Sequence, residues 1–222
     1  MLQERGFTVI SLRKFIGAGL AIALFSAPLV SAEENARGAE LFNLCSQCHG
    51  PEAEGNRLFL APAIAGMGEW YVAAQLQHFK SGARGTHFDD ISGMRMRPMA
   101  LSLLREGDIE AVSKYVSSLP RTKPAPEVEG GNPETGKVLY GVCVACHGAN
   151  GEGNQALNAP ALIGVGDWYI ADSLRRYKQG VRGSHPGNPN GAIMRGMVGS
   201  LTTDQAILDV VAFITMLDKT GE

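Results

Sequence analysis

The chain has 222 residues, 45% of them hydrophobic, with 20 basic against 22 acidic side chains. That length fits one large domain or two small ones. The near-even charge, with no basic stripe, excludes an ordinary nucleic-acid binder.

At the N-terminus, Arg13 and Lys14 precede an uncharged apolar run, residues 15–30, which ends at Val30-Ser31-Ala32. A positive flank, a short apolar stretch and a small-residue site read as a secretory signal peptide over 1–32. As a helix the run would reach about 24 Å, short of a bilayer core of about 30 Å. Cleavage is therefore expected, with a retained anchor as the alternative. No other segment could span a membrane.

The first predicted helix runs from about residue 36 to Cys45, with Leu41 and Leu44 spaced for one face. Cys45-Ser46-Gln47-Cys48-His49 follows, then Pro62 in an Ala-Pro-Ala segment. A second helix is expected over about 69–81, with Val72, Leu76 and Phe79 as its apolar stripe and Gly82 as C-cap. Arg84, His87, Met96 and Met99 fall in the long segment after it. A third helix, about 106–119, carries Ile109, Val112, Val116 and Leu119, and Pro120 stops it. Residues 121–133 are rich in Pro and Gly and form a linker.

The pattern then repeats. At an offset of 98 residues, 36–119 and 134–217 align without a gap and share 32 of 84 positions. The matches include Cys143-Val144-Ala145-Cys146-His147, Pro160, Trp168-Tyr169, Arg182, His185, Met194, Met197 and Leu201. A tandem duplication of about 85 residues means two small domains rather than a solenoid. With helical spacing throughout and no strand alternation, the fold class is all-α. Domains of this size bury little apolar area unaided, so each needs a staple or an apolar centrepiece.

The doubled Cys-x-x-Cys-His is the attachment signature of haem c. Two thiols three positions apart can each form a thioether to a porphyrin vinyl group, and the adjoining histidine then falls under the iron. A zinc site would need further ligands at regular spacing, and His78, His87 and His185 form no matching cluster. A disulfide framework, natural for four cysteines in an exported chain, leaves the histidine after each pair unexplained. Two haem c groups are therefore expected, held through Cys45, Cys48, Cys143 and Cys146, with His49 and His147 as proximal iron ligands.

A Met thioether as sixth ligand raises the potential and closes the iron, whereas an open iron favours peroxide chemistry. Each copy offers two, Met96 with Met99 and Met194 with Met197, and since both recur the repeat leaves the choice open. Met67 and Met94 do not recur and are expected to pack. His87 and His185 recur as rival ligands, although a propionate or surface role suits them better. The Pro62 and Pro160 carbonyls, 13 residues after each histidine, can accept from the proximal ring and fix it. Arg84 and Arg182 suit the haem carboxylates. Trp70 and Trp168, with Tyr71 and Tyr169, can donate hydrogen bonds from rings packed on the haem.

Taken together, the two Cys-x-x-Cys-His motifs, the Pro-Ala-hydrophobic stretch, the Trp-Tyr helix and the Met-Arg-x-Met segment resemble the diheme cytochrome c4 group over 36–217. The resemblance implies two tandem class I cytochrome c-like domains, here 33–120 and 134–222 about the linker 121–133. In that group the ligating Met lies seven residues before a Leu that leads into the last helix. With Leu103 and Leu201 in that place, the resemblance implies Met96 and Met194 as ligands and Met99 and Met197 as alternatives. It also implies a non-enzymatic periplasmic carrier of single electrons, with peripheral membrane contact allowed. A quinol-cytochrome c reductase or a dehydrogenase would be its donor and a terminal oxidase its acceptor. The alternatives are the diheme subunit of a periplasmic dehydrogenase, such as a flavin-dependent sulfide dehydrogenase, and a diheme peroxidase.

Overall fold

The computed structural model describes residues 27–220, so the signal segment expected over 1–32 lies outside the described residues except for 27–32. Among the described residues the chain is helical, without a strand. Two isolated antiparallel bridges, Asn56 with Ala61 and Asn154 with Ala159, occupy matching places in the two halves. The first half contains α1 (Ala27–His49), α2 (Glu69–Ser81), α3 (Ile91–Leu101) and α4 (Asp108–Ser118). The second contains α5 (Pro133–Tyr140), α6 (Val144–His147), α7 (Asp167–Lys178), α8 (Pro189–Val198) and α9 (Asp204–Thr220).

In each half the helix that leads into the cysteine motif crosses the last helix, α1 on α4 and α5 on α9. The crossing is close because a glycine sits at it. A Cβ at Gly38 would collide with the Ala111 carbonyl, and one at Gly136 with the Asp209 carbonyl. The buried face of α1 is Gly38, Phe42 and His49, with Leu41 and Cys45 packed at its edge. Leu44, expected on that face, is half exposed, because its 100° step from Cys45 carries it past the contact. The stripes of α2 (Val72, Leu76, Phe79) and α4 (Ile109, Val112, Val116) meet Phe42 in one core. Tyr140, Ile170, Leu174, Val210 and Ile214 build the counterpart core. Burying each of these large side chains contributes roughly 1.5–3 kcal/mol.

A further helix appears in each half where the sequence suggested loop. The Asp90 carboxylate starts α3 by accepting from Gly93 N at 3.1 Å, and Asn188 starts α8 by accepting from Gly191 N at 2.9 Å. Two features hide α3 in the sequence. Pro98 sits inside it, and its outward side is as apolar as its inward one, so no amphipathic period is written there.

The linker is tied to both halves. Arg121 donates to the Gly66 carbonyl at 3.1 Å and the Ile163 carbonyl at 3.4 Å. Asp167 accepts from the backbone of Glu127 and Val128, and Arg57 pairs with Glu127 at 2.9 Å. The two halves also meet where side chains of α2 and α7 line a common cleft.

Candidate functional site: two haem clefts sharing an interface

Each cysteine pair lies at the end of a helix, so its histidine points into the domain. His49 and His147 are both 7% exposed. Each ring is fixed from behind: His49 Nδ1 donates to the Pro62 carbonyl at 2.8 Å, and His147 Nδ1 donates to the Pro160 carbonyl at 2.8 Å. The intervening loop places that carbonyl. Gly55 N donates to the His49 carbonyl at 2.7 Å, and Asn56 and Ala61 exchange two backbone hydrogen bonds just before Pro62. Gly153, Asn154 and Ala159 repeat the device. Gly55, at φ +85°, is required, since a Cβ there would strike the Ala63 backbone. Burial lowers both imidazole pKa values, outweighing the opposing effect of the proline carbonyls. The neutral ring is the form that binds a metal through the remaining nitrogen, Nε2.

The environment of Cys45 and Cys143 does not suit a redox dithiol. Burial pushes Cys45 up to about 11 and raises Cys143 as well, whereas a disulfide-exchange site depends on a lowered thiol. No two of the four cysteines are joined in a disulfide. Among the described residues, no three His, Cys, Asp or Glu side chains gather as a metal cluster.

Cys143, Cys146 and His147 open onto an apolar cleft with about 1430 Å³ of empty space, part of it open to solvent. Another wall is α8, through Met194, Met197 and Val198, with Leu201 just beyond it. Met194 packs against the second core and Met96 against the first, while Met197 is largely exposed. Met67, expected to pack, lies against the first core. Met94, also expected to pack, is instead 41% exposed on the outer side of α3. His87 and His185 lie in the turns that precede α3 and α8. Each uses Nδ1 to accept a turn N–H, from Asp89 and Gly187 respectively.

The same cleft is walled by the other half. Met67, Trp70, Tyr71, Ala74, Gln75 and His78, one side of α2 and its lead-in, line it together with α7 residues Tyr169, Ser173 and Tyr177. Arg84 and Arg182 are 7% and 5% exposed beside this junction. Their hydrogen-bond partners are neutral: Arg84 donates to Gln75 Oε1 at 2.7 Å, and Arg182 to Ser173 Oγ at 2.8 Å. They also reach across the interface, Arg84 to Tyr169 and Arg182 to Tyr71. Burial opposes ionisation of the Tyr169 phenol, but Arg84 and Arg182 outweigh it and hold the group below its ordinary value. Arg84 Nε is buried with no hydrogen-bond partner. Buried guanidinium groups with neutral partners and a spare N–H fit an anion, as the carboxylates of a haem in each cleft would provide. Trp70 lines the junction, and Trp168 packs edge-on against Tyr169 at 5.7 Å between ring centres.

One interface contact had no sequence signal of its own. Arg176 of α7 donates to the Asp90 carboxylate of the first half, which is 1% exposed. The symmetric place holds His78 and Asn188. Departures from the repeat at these two positions are the trace that could have revealed it.

Comparison with known proteins agrees with this construction. The cytochrome c profile matches residues 35–120 and again 133–218. The chain belongs to the cytochrome c family. It is 30% identical to cytochrome c4 of Azotobacter vinelandii over 181 residues, 78% of this chain and 84% of that protein. It is 33% identical to a thiosulfate dehydrogenase electron acceptor of Thiomonas intermedia (strain K12) over 152 residues, 64% of this chain and 66% of that protein. The crystal structure of reduced cytochrome c4 from Pseudomonas stutzeri superposes with a TM-score of 0.66 at 26% identity, covering 82% of this chain and 97% of that one. Two cytochrome c domains, each with its Cys-x-x-Cys-His motif, carry two covalently bound haem c groups, and the protein is a diheme electron carrier resembling cytochrome c4.

Proposed function

We propose that this protein is a periplasmic shuttle that takes single electrons from a dehydrogenase or a quinol-cytochrome c reductase and passes them towards a terminal oxidase. The observation that carries the reading is the shared wall: α2 of the first half lines the cleft of the second, so an electron entering one site has a short protein path to the other. Each haem supplies one-electron chemistry by cycling its iron between the ferric and ferrous states. The chain does the rest. Cys45, Cys48, Cys143 and Cys146 anchor the two groups, and His49 and His147 bind the irons with rings fixed by Pro62 and Pro160. Met96 and Met194 would hold the irons from α3 and α8, which would keep small molecules off them and separate this protein from a peroxidase. Arg84 and Arg182 meet the haem carboxylates.

Export is supported by the signal-like segment over 1–32. Among the described residues no helix is long and apolar enough to cross a membrane. The Thiomonas intermedia relative carries the name of an electron acceptor, which supports a dehydrogenase as donor. A stable complex in place of a shuttle would show as copurification with a catalytic subunit.

Ligation is tested by Met96→Ala and Met194→Ala. Each is expected to remove about half of the weak far-red charge-transfer band of thioether-ligated ferric haem and to lower one of the two potentials. Met99→Ala and Met197→Ala are expected to leave the band in place. If the second pair removes the band and the first does not, the assignment within each pair reverses. If no variant changes it, His/Met ligation is wrong.

A further inference from the structure

Duplication makes each half a control for the other, and the outward side of α3 has no apolar match on α8. The outward residues of α3, Ile91, Met94, Pro98 and Leu101, recur at i, i+3, i+7 and i+10, so they share one face. Ile91 is 52% exposed, and Met94 and Leu101 are also exposed. At the end of the helix Leu104 is 84% exposed. The matching residues around α8 are Pro189, Ala192, Gly196, Gly199 and Thr202.

Haem does not account for the stripe. The α8 residues that line the second cleft are Asn190, Gly191, Ile193, Met194, Met197 and Val198, and none of them is the counterpart of a stripe residue. Their places on α3 are held by Ser92, Gly93, Arg95, Met96, Met99 and Ala100. The apolar stripe is therefore on the far side of the helix that presents Met96, and it faces solvent whether or not the cleft is filled.

The rim differs in the same sense. Arg57, Arg95 and Arg105 border the stripe, and the second half has Gln155, Ile193 and Thr203 in their places. Arg95 donates to the Phe59 carbonyl at 3.4 Å, which brings the turn carrying Arg57 and the exposed Leu58 up to α3. Arg57 is shared with Glu127, which leaves the exposed Arg95 and Arg105 at the rim. An apolar stripe whose matching positions in the other half are small or polar, bordered by arginines, has the make-up of an interface core with a basic rim.

We propose that the outward face of α3 is the docking surface for a redox protein whose contact face has an apolar centre and an acidic rim. This rests on the electron-carrier reading. It places partner contact on the first half, outside the Met96 side of its cleft. The apolar stripe supplies the contact, and Arg95 and Arg105 supply orientation and steering.

The test uses the diheme holoprotein and a defined acidic, apolar surface: a gold electrode bearing a mixed monolayer of carboxylate- and methyl-terminated alkanethiols. The variant Met94→Ala/Leu104→Thr/Arg105→Thr gives the first half the residues of the second, and Ala192→Gln on the outer side of α8 is the control. At low ionic strength the triple variant is expected to lose about tenfold in interfacial electron-transfer rate. Its two potentials in solution should stay unchanged, and the Ala192→Gln protein should match the native rate. Equal rates for native and triple-variant protein would overturn the proposal. So would an equal loss in the α8 control. Sedimentation equilibrium covers the other occupant: a native dimer that the triple variant converts to monomer would assign the stripe to a second copy of this chain. A holoprotein with no reversible haem couple in solution would instead defeat the electron-carrier reading itself.

Discussion

Replacing Arg176 with alanine tests whether the two halves form one unit. The Asp90 carboxylate accepts from Gly85 N and Gly93 N, both at 3.1 Å, and takes a cationic partner, Arg176, from across the interface. At 1% exposure it has no access to water. Arg176→Ala therefore leaves an uncompensated buried charge, a change that costs about 3–5 kcal/mol when a buried pair loses one member. Asp90→Asn is the milder perturbation. An asparagine at the matching position, Asn188, already caps α8, so the helix start survives, and Arg176 keeps Asp172 at 2.7 Å. The loss there should be near that of one hydrogen bond, about 1 kcal/mol. In the double variant the buried charge is gone, and most of the Arg176→Ala penalty should disappear with it. Guanidinium denaturation of the holoprotein, analysed as a double-mutant cycle, measures the difference. A single Arg176→Ala variant within about 0.5 kcal/mol of native, or strictly additive losses, would refute the interface as described.

Two further outcomes are expected. Gly38→Ala and Gly136→Ala place a methyl group against the Ala111 and Asp209 carbonyls, so each should lower stability by about 1–3 kcal/mol through overpacking, read from the denaturation midpoint. An unchanged midpoint in either would mean that the helix crossings are looser than described. The pair of Arg37 with Asp108, 2.9 Å apart, gives a pH dependence. Burial of the Asp108 carboxyl raises its pKa, but the hydrogen bonds from Arg37 and the Arg105 N–H outweigh that and depress it. A depressed carboxylate stabilises the fold above its unfolded value of about 3.9 and loses that contribution as pH falls through the folded value. Arg37→Ala should therefore lower the melting temperature at pH 7 and have little effect near pH 2. An equal effect at both would remove the charge from the explanation.

The chemistry of this protein is local, and so the sequence alone determined it. A Cys-x-x-Cys-His motif places two thiols and an imidazole within about one helical turn, and its repetition at 98 residues marks two domains in the sequence itself. The stripes on α2 and α4 were legible for the same reason, since helical spacing is enough to write them. The helix α3 was not legible: Pro98 and an apolar outer side erase the contrast that periodicity needs. Its start is set by the Asp90 side chain, and the ionic partner of that side chain is 86 residues away. Only the docking of α2 against α7 brings Arg176 to Asp90, Arg84 to Tyr169 and Arg182 to Tyr71. Contacts between residues far apart in the chain depend on how rigid bodies pack, and no spacing rule along one segment encodes that. The tertiary structure alone therefore decided that the second cleft borrows a wall from the first half, and that the apolar residues of α3 face outward.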